Sequence, residues 1–107
     1  MQDYEVRRGH QKELEGGKLK LMMQEAFGNV AEEGALLVSN YGALAKLKVG
    51  WDGKYSLRVE TVMDPKVAPD VAQSTIKTYY AFLERATGFN AKERSKRLQK
   101  KAKEGKL

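Results

Sequence analysis

Ala45-Lys46-Leu47-Lys48-Val49-Gly50-Trp51-Asp52-Gly53-Lys54-Tyr55-Ser56-Leu57-Arg58-Val59-Glu60-Thr61 is the stretch that decides the fold. Apolar residues alternate with polar ones on both sides of Asp52-Gly53, the period of a strand with one face buried. A two-residue Asp-Gly loop would set Val49 opposite Ser56 and mix the faces. A three-residue loop, Asp52-Gly53-Lys54, pairs Trp51 with Tyr55, Val49 with Leu57 and Leu47 with Val59. That register is therefore expected. It also sets Lys48 opposite Arg58 and Lys46 opposite Glu60 on the wet face.

Upstream, residues 3–8 read as a strand through the alternation of Tyr4 and Val6 with Asp3, Glu5 and Arg7. After Gly9-His10, residues 11–27 read as helical, with Leu19, Met22, Met23, Ala26 and Phe27 on one face. Gly16-Gly17 fits that helix poorly, since an interior glycine costs ~1 kcal/mol. Either the helix begins after the pair, or the glycines let it approach the sheet closely. Gly28-Asn29 stops it, and Ala35–Ser39 is a short strand ending in the Asn40-Tyr41-Gly42 turn. Downstream, Pro69 and Asp70 open a helix that runs to Thr87 and should bury Ala72, Ile76, Tyr79, Tyr80, Leu83 and Ala86. Gly88 has the position of a left-handed cap, with Phe89 folding back over it. Asn90 and Glu93 have the spacing of a capping box opening a last helix over 91–104. Its apolar stripe is only Ala91, Leu98 and Ala102, so it should project from the body or fray.

The order is β-α-β-β-β-α-α. It predicts an α+β two-layer sandwich, an antiparallel sheet of about four strands with helices on one face. At 107 residues there is room for one domain, 1–90, followed by a basic helical tail, 91–107.

Charge is divided very unevenly along the chain. Residues 91–107 hold 8 of the 20 basic and 2 of the 14 acidic side chains, so residues 1–90 carry 12 of each and the tail the whole net +6. A concentrated field of this kind attracts polyanions. Zero cysteines exclude a disulfide scaffold, a thiolate metal site and a cysteine nucleophile, and one histidine argues against a multi-His centre. The carboxylates are scattered, so neither a metal nor another cofactor is expected. No apolar segment suggests a signal peptide or a membrane span, so a soluble, cytoplasmic protein is expected.

Three segments resemble a small, functionally uncharacterised family of archaeal proteins of about this length. They are Tyr4-Glu5-Val6-Arg7-Arg8-Gly9, Tyr41-Gly42-Ala43 and Ala86-Thr87-Gly88-Phe89-Asn90-Ala91-Lys92-Glu93-Arg94. The resemblance implies a two-layer α/β sandwich in an archaeal cytosol. It supplies no activity and no catalytic residues.

Candidate sites are therefore read from charge. Lys92, Arg94, Lys96, Arg97, Lys100, Lys101 and Lys103 on one short helix suit a phosphate backbone. Engaging ~5–8 phosphates would give a log–log salt slope of roughly −4 to −7. Lys48 and Arg58, opposed in the expected register, could be retained for an anionic partner. Arg7, Arg8 and His10 cluster at the first turn, without the orienting carboxylate and nucleophile that acid–base chemistry would need. Trp51 and Tyr55 could stack on a base but face the core side. Gly50-Trp51-Asp52-Gly53 lies in a hairpin rather than between helices, so it does not match the KH-domain clamp. The reading is a non-catalytic module that binds nucleic acid, RNA or a ribonucleoprotein, through the basic helix. The alternative is a protein-interaction or assembly module, its tail docking on an acidic protein or its free sheet edge pairing with a strand. Too little apolar surface lies on the tail for a membrane role.

Overall fold

The structure is a computed structural model that describes residues 2–51, 53 and 56–103, with side chains at all of these except 2, 98 and 100–103. Strands β1 (Gln2–Glu5), β2 (Ala31–Glu33), β3 (Leu36–Tyr41), β4 (Leu44–Trp51) and β5 (Ser56–Met63) form one antiparallel sheet in the order β1-β5-β4-β3-β2. Helices α1 (Lys18–Phe27) and α2 (Pro69–Thr87) supply the second layer, and α3 (Ala91–Lys103) follows α2. The α+β sandwich is thus as expected, with five strands rather than about four. The additional strand, β2, is Ala31-Glu32-Glu33, fully exposed and without apolar alternation. It forms because Asn29 matches the backbone of β3. The Asn29 side chain donates to Asn40 O at 2.8 Å and accepts from Asn40 N at 3.0 Å, while Ser39 Oγ donates to Asn29 O at 2.7 Å.

Leu47, Val49, Leu57 and Val59 face Leu19, Met22, Met23 and Phe27 of α1 and Phe82, Leu83 and Ala86 of α2 in the core. Each of these buried side chains larger than alanine contributes about 1.5–3 kcal/mol. Phe27 joins the layers, its ring 5.2 Å from Phe82 and 5.9 Å from Tyr41, in tilted contacts. The α2 stripe is rotated from its expected position. Leu83 and Ala86 are buried as expected, but Ile76 and Tyr80 are 41% and 50% exposed, and Thr75 and Phe82 take the inner positions. Thr75 is tolerated there because its hydroxyl is fully used. It donates to Val71 O at 2.7 Å and accepts from Ala43 N at 2.9 Å, tying the β3–β4 turn to α2.

The central hairpin keeps the expected faces but not the expected register. Trp51 pairs with Leu57, Val49 with Val59 and Leu47 with Thr61, a slip of two residues. Side-chain alternation has a period of two and does not distinguish the two registers. Cross-strand charge does: Lys48 now faces Glu60, and Arg58 faces Gly50, so the like-charged Lys48–Arg58 pair is avoided. Lys46 correspondingly faces Val62, after a bulge between Leu44 and Lys46. With Trp51 opposite Leu57, residues 52–56 lie between the paired positions, so the expected three-residue loop is not formed; Asp52, Lys54 and Tyr55 lie outside the described residues.

Gly16 and Gly17 both have positive φ, 63° and 81°, so residues 11–27 are not one helix. A 3-10 turn over His10–Glu13 precedes them and α1 starts at Lys18, which resolves the two readings of the pair. Gly42 is more tightly constrained. Its φ is 52° and an added Cβ would lie 2.3 Å from Thr75 Oγ1. Gly42→Ala is expected to lower the unfolding free energy by about 3 kcal/mol, from left-handed strain and the displaced Thr75 hydrogen bonds. Gly34→Ala, at φ 62° with nothing within 4 Å of the added carbon, is expected to cost about 1 kcal/mol. Urea denaturation of the two variants checks this, and equal losses would contradict it.

Candidate nucleic-acid interface

Helix α3 begins with the expected reciprocal cap. Asn90 Oδ1 accepts from Glu93 N at 2.9 Å and Glu93 Oε1 from Asn90 N at 3.3 Å. The helix does not project as its thin apolar stripe suggested; it packs beside β1. Two arginines dock it. Arg94 is only 6% exposed, and its Nη1 donates to Phe89 O at 2.7 Å while the guanidinium lies 5.8 Å from the Tyr80 ring centre. Arg97 lies 4.0 Å from the centre of the buried Phe89 ring and pairs with Glu5 of β1. Arginine stems and cation–π contacts thus supply the burial that leucines would otherwise provide. Arg94 is consequently not available to a polyanion, and Arg97 is occupied by Glu5 and Phe89. Both therefore anchor the helix; the buried Arg94 departs from its expected place among the contacting cations, while the Arg97 side chain stays 45% exposed.

A sequence signal for this exists. Arg94 and Arg97 are the arginines of residues 91–107, and every other cation there is lysine. A planar guanidinium suits stacked and carbonyl-bonded sites, whereas a compact ammonium prefers water. Lys92 and Lys96 are exposed and have no ion pair among the described residues. Helical spacing sets positions 92, 96, 100 and 103 on one stripe, roughly opposite Arg94. The side chains of Lys100, Lys101 and Lys103, and of Leu98 and Ala102 in the apolar stripe, lie outside the described residues.

The turn after β1 docks on the last turn of α2, whose carbonyls would otherwise lack partners. Arg7 N donates to Thr87 O at 2.8 Å, and His10 Nε2 donates to Arg85 O at 2.6 Å. Gly88 caps α2 at φ 78° as expected, its N–H returning to Glu84 O at 2.9 Å. The negative end of the α2 dipole therefore meets the Arg7, His10 and Arg94 segments together.

The sheet cations behave differently. Lys48 and Lys46 approach Glu33 at 3.5 and 3.8 Å, and Arg58 approaches Asp3 at 3.3 Å. Lys48 and Arg58 therefore do not form the like-charged pair expected for an anion, and each already has a carboxylate. A cleft of about 240 Å³ between Lys46, Lys48, Glu60 and Val62 is mixed in charge. Another, of about 370 Å³, lies between the β3–β4 turn and the start of α2. No group of three or more metal-ligating side chains occurs among the described residues, and none of their helices is long and apolar enough to cross a membrane.

A family model described as a domain of unknown function (DUF5611) matches residues 1–100. The chain belongs to the DUF5611 family. This agrees with the resemblance read from the Tyr4–Gly9, Tyr41–Ala43 and Ala86–Arg94 segments. The DUF5611 chain is also similar to the solution structure of hypothetical protein TA0095 from Thermoplasma acidophilum, with a TM-score of 0.62 and 24% identity over 92% of this chain and 97% of that one. That likeness carries the fold. No curated protein matches the sequence.

Tyr79, between Tyr4 and Arg94, has its phenol pushed well above its ordinary value near 10, first by burial and then by the neighbouring Tyr4 hydroxyl, while Arg94 pulls the other way. The unfolded chain releases this proton near pH 10 and the folded chain only at higher pH. The unfolded state then binds fewer protons, so the contribution is complete below pH 10 and stability is lost as pH rises past it. Tyr79→Phe is expected to flatten the decline above pH 10 by up to about 1.4 kcal/mol per pH unit. Denaturation at stepped alkaline pH checks it, and parallel curves for the two proteins would contradict it.

Proposed function

We propose that this DUF5611 protein is a non-catalytic module that holds the phosphate backbone of RNA, without reading sequence, through the lysines of α3. The observation carrying this reading is the division of labour along one helix. Arg94 and Arg97 face the body, while Lys92 and Lys96 are exposed and have no carboxylate partner among the described residues. A docked helix presents its charges at fixed positions, and backbone contacts of this kind give affinity rather than base specificity. The proposal puts the protein in the cytoplasm, among ribonucleoproteins. Strand pairing with a protein partner is less well supported. The edge strand β2 has three residues with Glu32 and Glu33 exposed, and α3 flanks β1 at the other edge.

Arg94 and Arg97 are excluded from the contacts, so about four or five lysines remain, and the log–log salt slope should be near −4. A variant with Lys92, Lys96, Lys100 and Lys103 changed to Gln is expected to lose at least tenfold in affinity for a 20-base-pair RNA duplex at low salt. Its thermal unfolding should stay close to that of the parent, as surface substitutions like those at Lys92 and Lys96 generally leave stability within about 0.5 kcal/mol. Fluorescence anisotropy over a salt series checks this, and unchanged affinity in the folded variant would overturn the proposal.

A further inference from the structure

The first turn carries two cations that the α3 reading leaves unused. Arg7 and Arg8 are exposed and, among the described residues, have no ion pair. Their backbone is nonetheless firmly held. Arg7 N donates to Thr87 O at 2.8 Å, His10 N to Arg7 O at 2.9 Å, His10 Nε2 to Arg85 O at 2.6 Å and Gly9 N to Gln11 Oε1 at 2.7 Å. The turn lies directly on Gly88, where an added Cβ would be 3.1 Å from Arg7 Cβ and 3.0 Å from His10 Cγ. Helix α3 begins three residues later, at Ala91. Glu5, the nearest acid on the β1 side, is paired with Arg97, and Glu93 closes the α3 cap. Those two carboxylates are thus engaged in structural contacts, while Glu84 of the last α2 turn and Glu13 of the 3-10 turn are exposed without an ion pair among the described residues.

We infer that Arg7 and Arg8 form, with Lys92 and Lys96 of α3, one composite surface for an RNA backbone. The inference rests on the α3 reading and extends it to a second segment, about 80 residues away in sequence. The chemistry of the two parts is complementary. An arginine fork can engage two oxygens of one phosphate, while a lysine acts as a point charge along the strand. A double-stranded backbone is the partner that fits. Arg7, Arg8, Lys92 and Lys96 would engage phosphates by charge and hydrogen bonding alone, contacts that a duplex backbone offers without unpaired bases.

The test compares the full-length protein, R7Q/R8Q, R7K/R8K and K92Q/K96Q on a 20-base-pair RNA duplex by anisotropy over a salt series. R7Q/R8Q should bind roughly tenfold more weakly at low salt, with a log–log slope shallower by about 2, and R7K/R8K should keep most of the slope. Thermal unfolding should match the parent, because the backbone hydrogen bonds of the turn and His10 are retained. Wild-type behaviour of R7Q/R8Q beside weakened K92Q/K96Q would overturn the composite surface and leave the α3 reading standing. Loss in R7Q/R8Q alone would overturn the α3 reading and the composite with it. Binding to polyglutamate with none to the duplex would overturn both in favour of an acidic protein.

Discussion

A guanidinium buried without a carboxylate is costly, and the position of Arg94 determines much of the remaining arrangement. Desolvating such a charge costs several kcal/mol unless its hydrogen-bonding capacity is met. Here Phe89 O accepts one of its N–H groups, Tyr80 offers a ring face, and Tyr79 lies nearby. The Phe89 carbonyl follows the C-terminal end of α2, where partial negative charge accumulates. The cation thus answers the α2 terminus through the Phe89 carbonyl, beside the Tyr80 ring. Because Arg94 lies in the first turn of α3, that contact also sets the rotation of the helix. The Lys92 and Lys96 side is directed into solvent as a consequence.

The rest of the sandwich supports this arrangement without duplicating it. Helices α1 and α2 cover one sheet face through Phe27, Met23, Phe82 and Leu83, and on the opposite face Arg58 pairs with Asp3 while Lys46 and Lys48 share Glu33. Exposed pairs like these are worth at most about 1 kcal/mol each to stability. Their effect on the field is larger, since they cancel positive charge on the open face. Arg7 and Arg8 of the first turn and Lys92 and Lys96 of α3 have no such pair among the described residues.

The sequence was informative wherever one local rule acted alone. Gly88 and the Asn90–Glu93 box marked the α2–α3 junction, and alternation assigned the hairpin faces, because caps and faces depend on a few neighbouring residues. The register could not be read by the same rule, since a slip of two preserves every face, and only the Lys48–Glu60 pairing distinguishes the outcome. Strand β2 carried no apolar signal at all and depends on Asn29 reaching across to Asn40. Ile76 and Tyr80 were assigned to the core by spacing, but Thr75 and Phe82 occupy it because the Gly42-Ala43 turn needs the Thr75 hydroxyl. For the site, the cations were legible as a group and their division was not. Counting Ala91, Leu98 and Ala102 as the only adhesive residues overlooked what two arginines among lysines can bury.

Amide hydrogen exchange along α3 tests the docking most directly. A free helix of 13 residues is marginal in water, so its amides would exchange at nearly unprotected rates. With Arg94 and Arg97 holding the helix to the body, the amides of residues 95–98 should be protected by about a hundredfold or more, approaching those of α2. Protection near unity at those positions, in a protein whose α1 and α2 amides remain protected, would contradict the account.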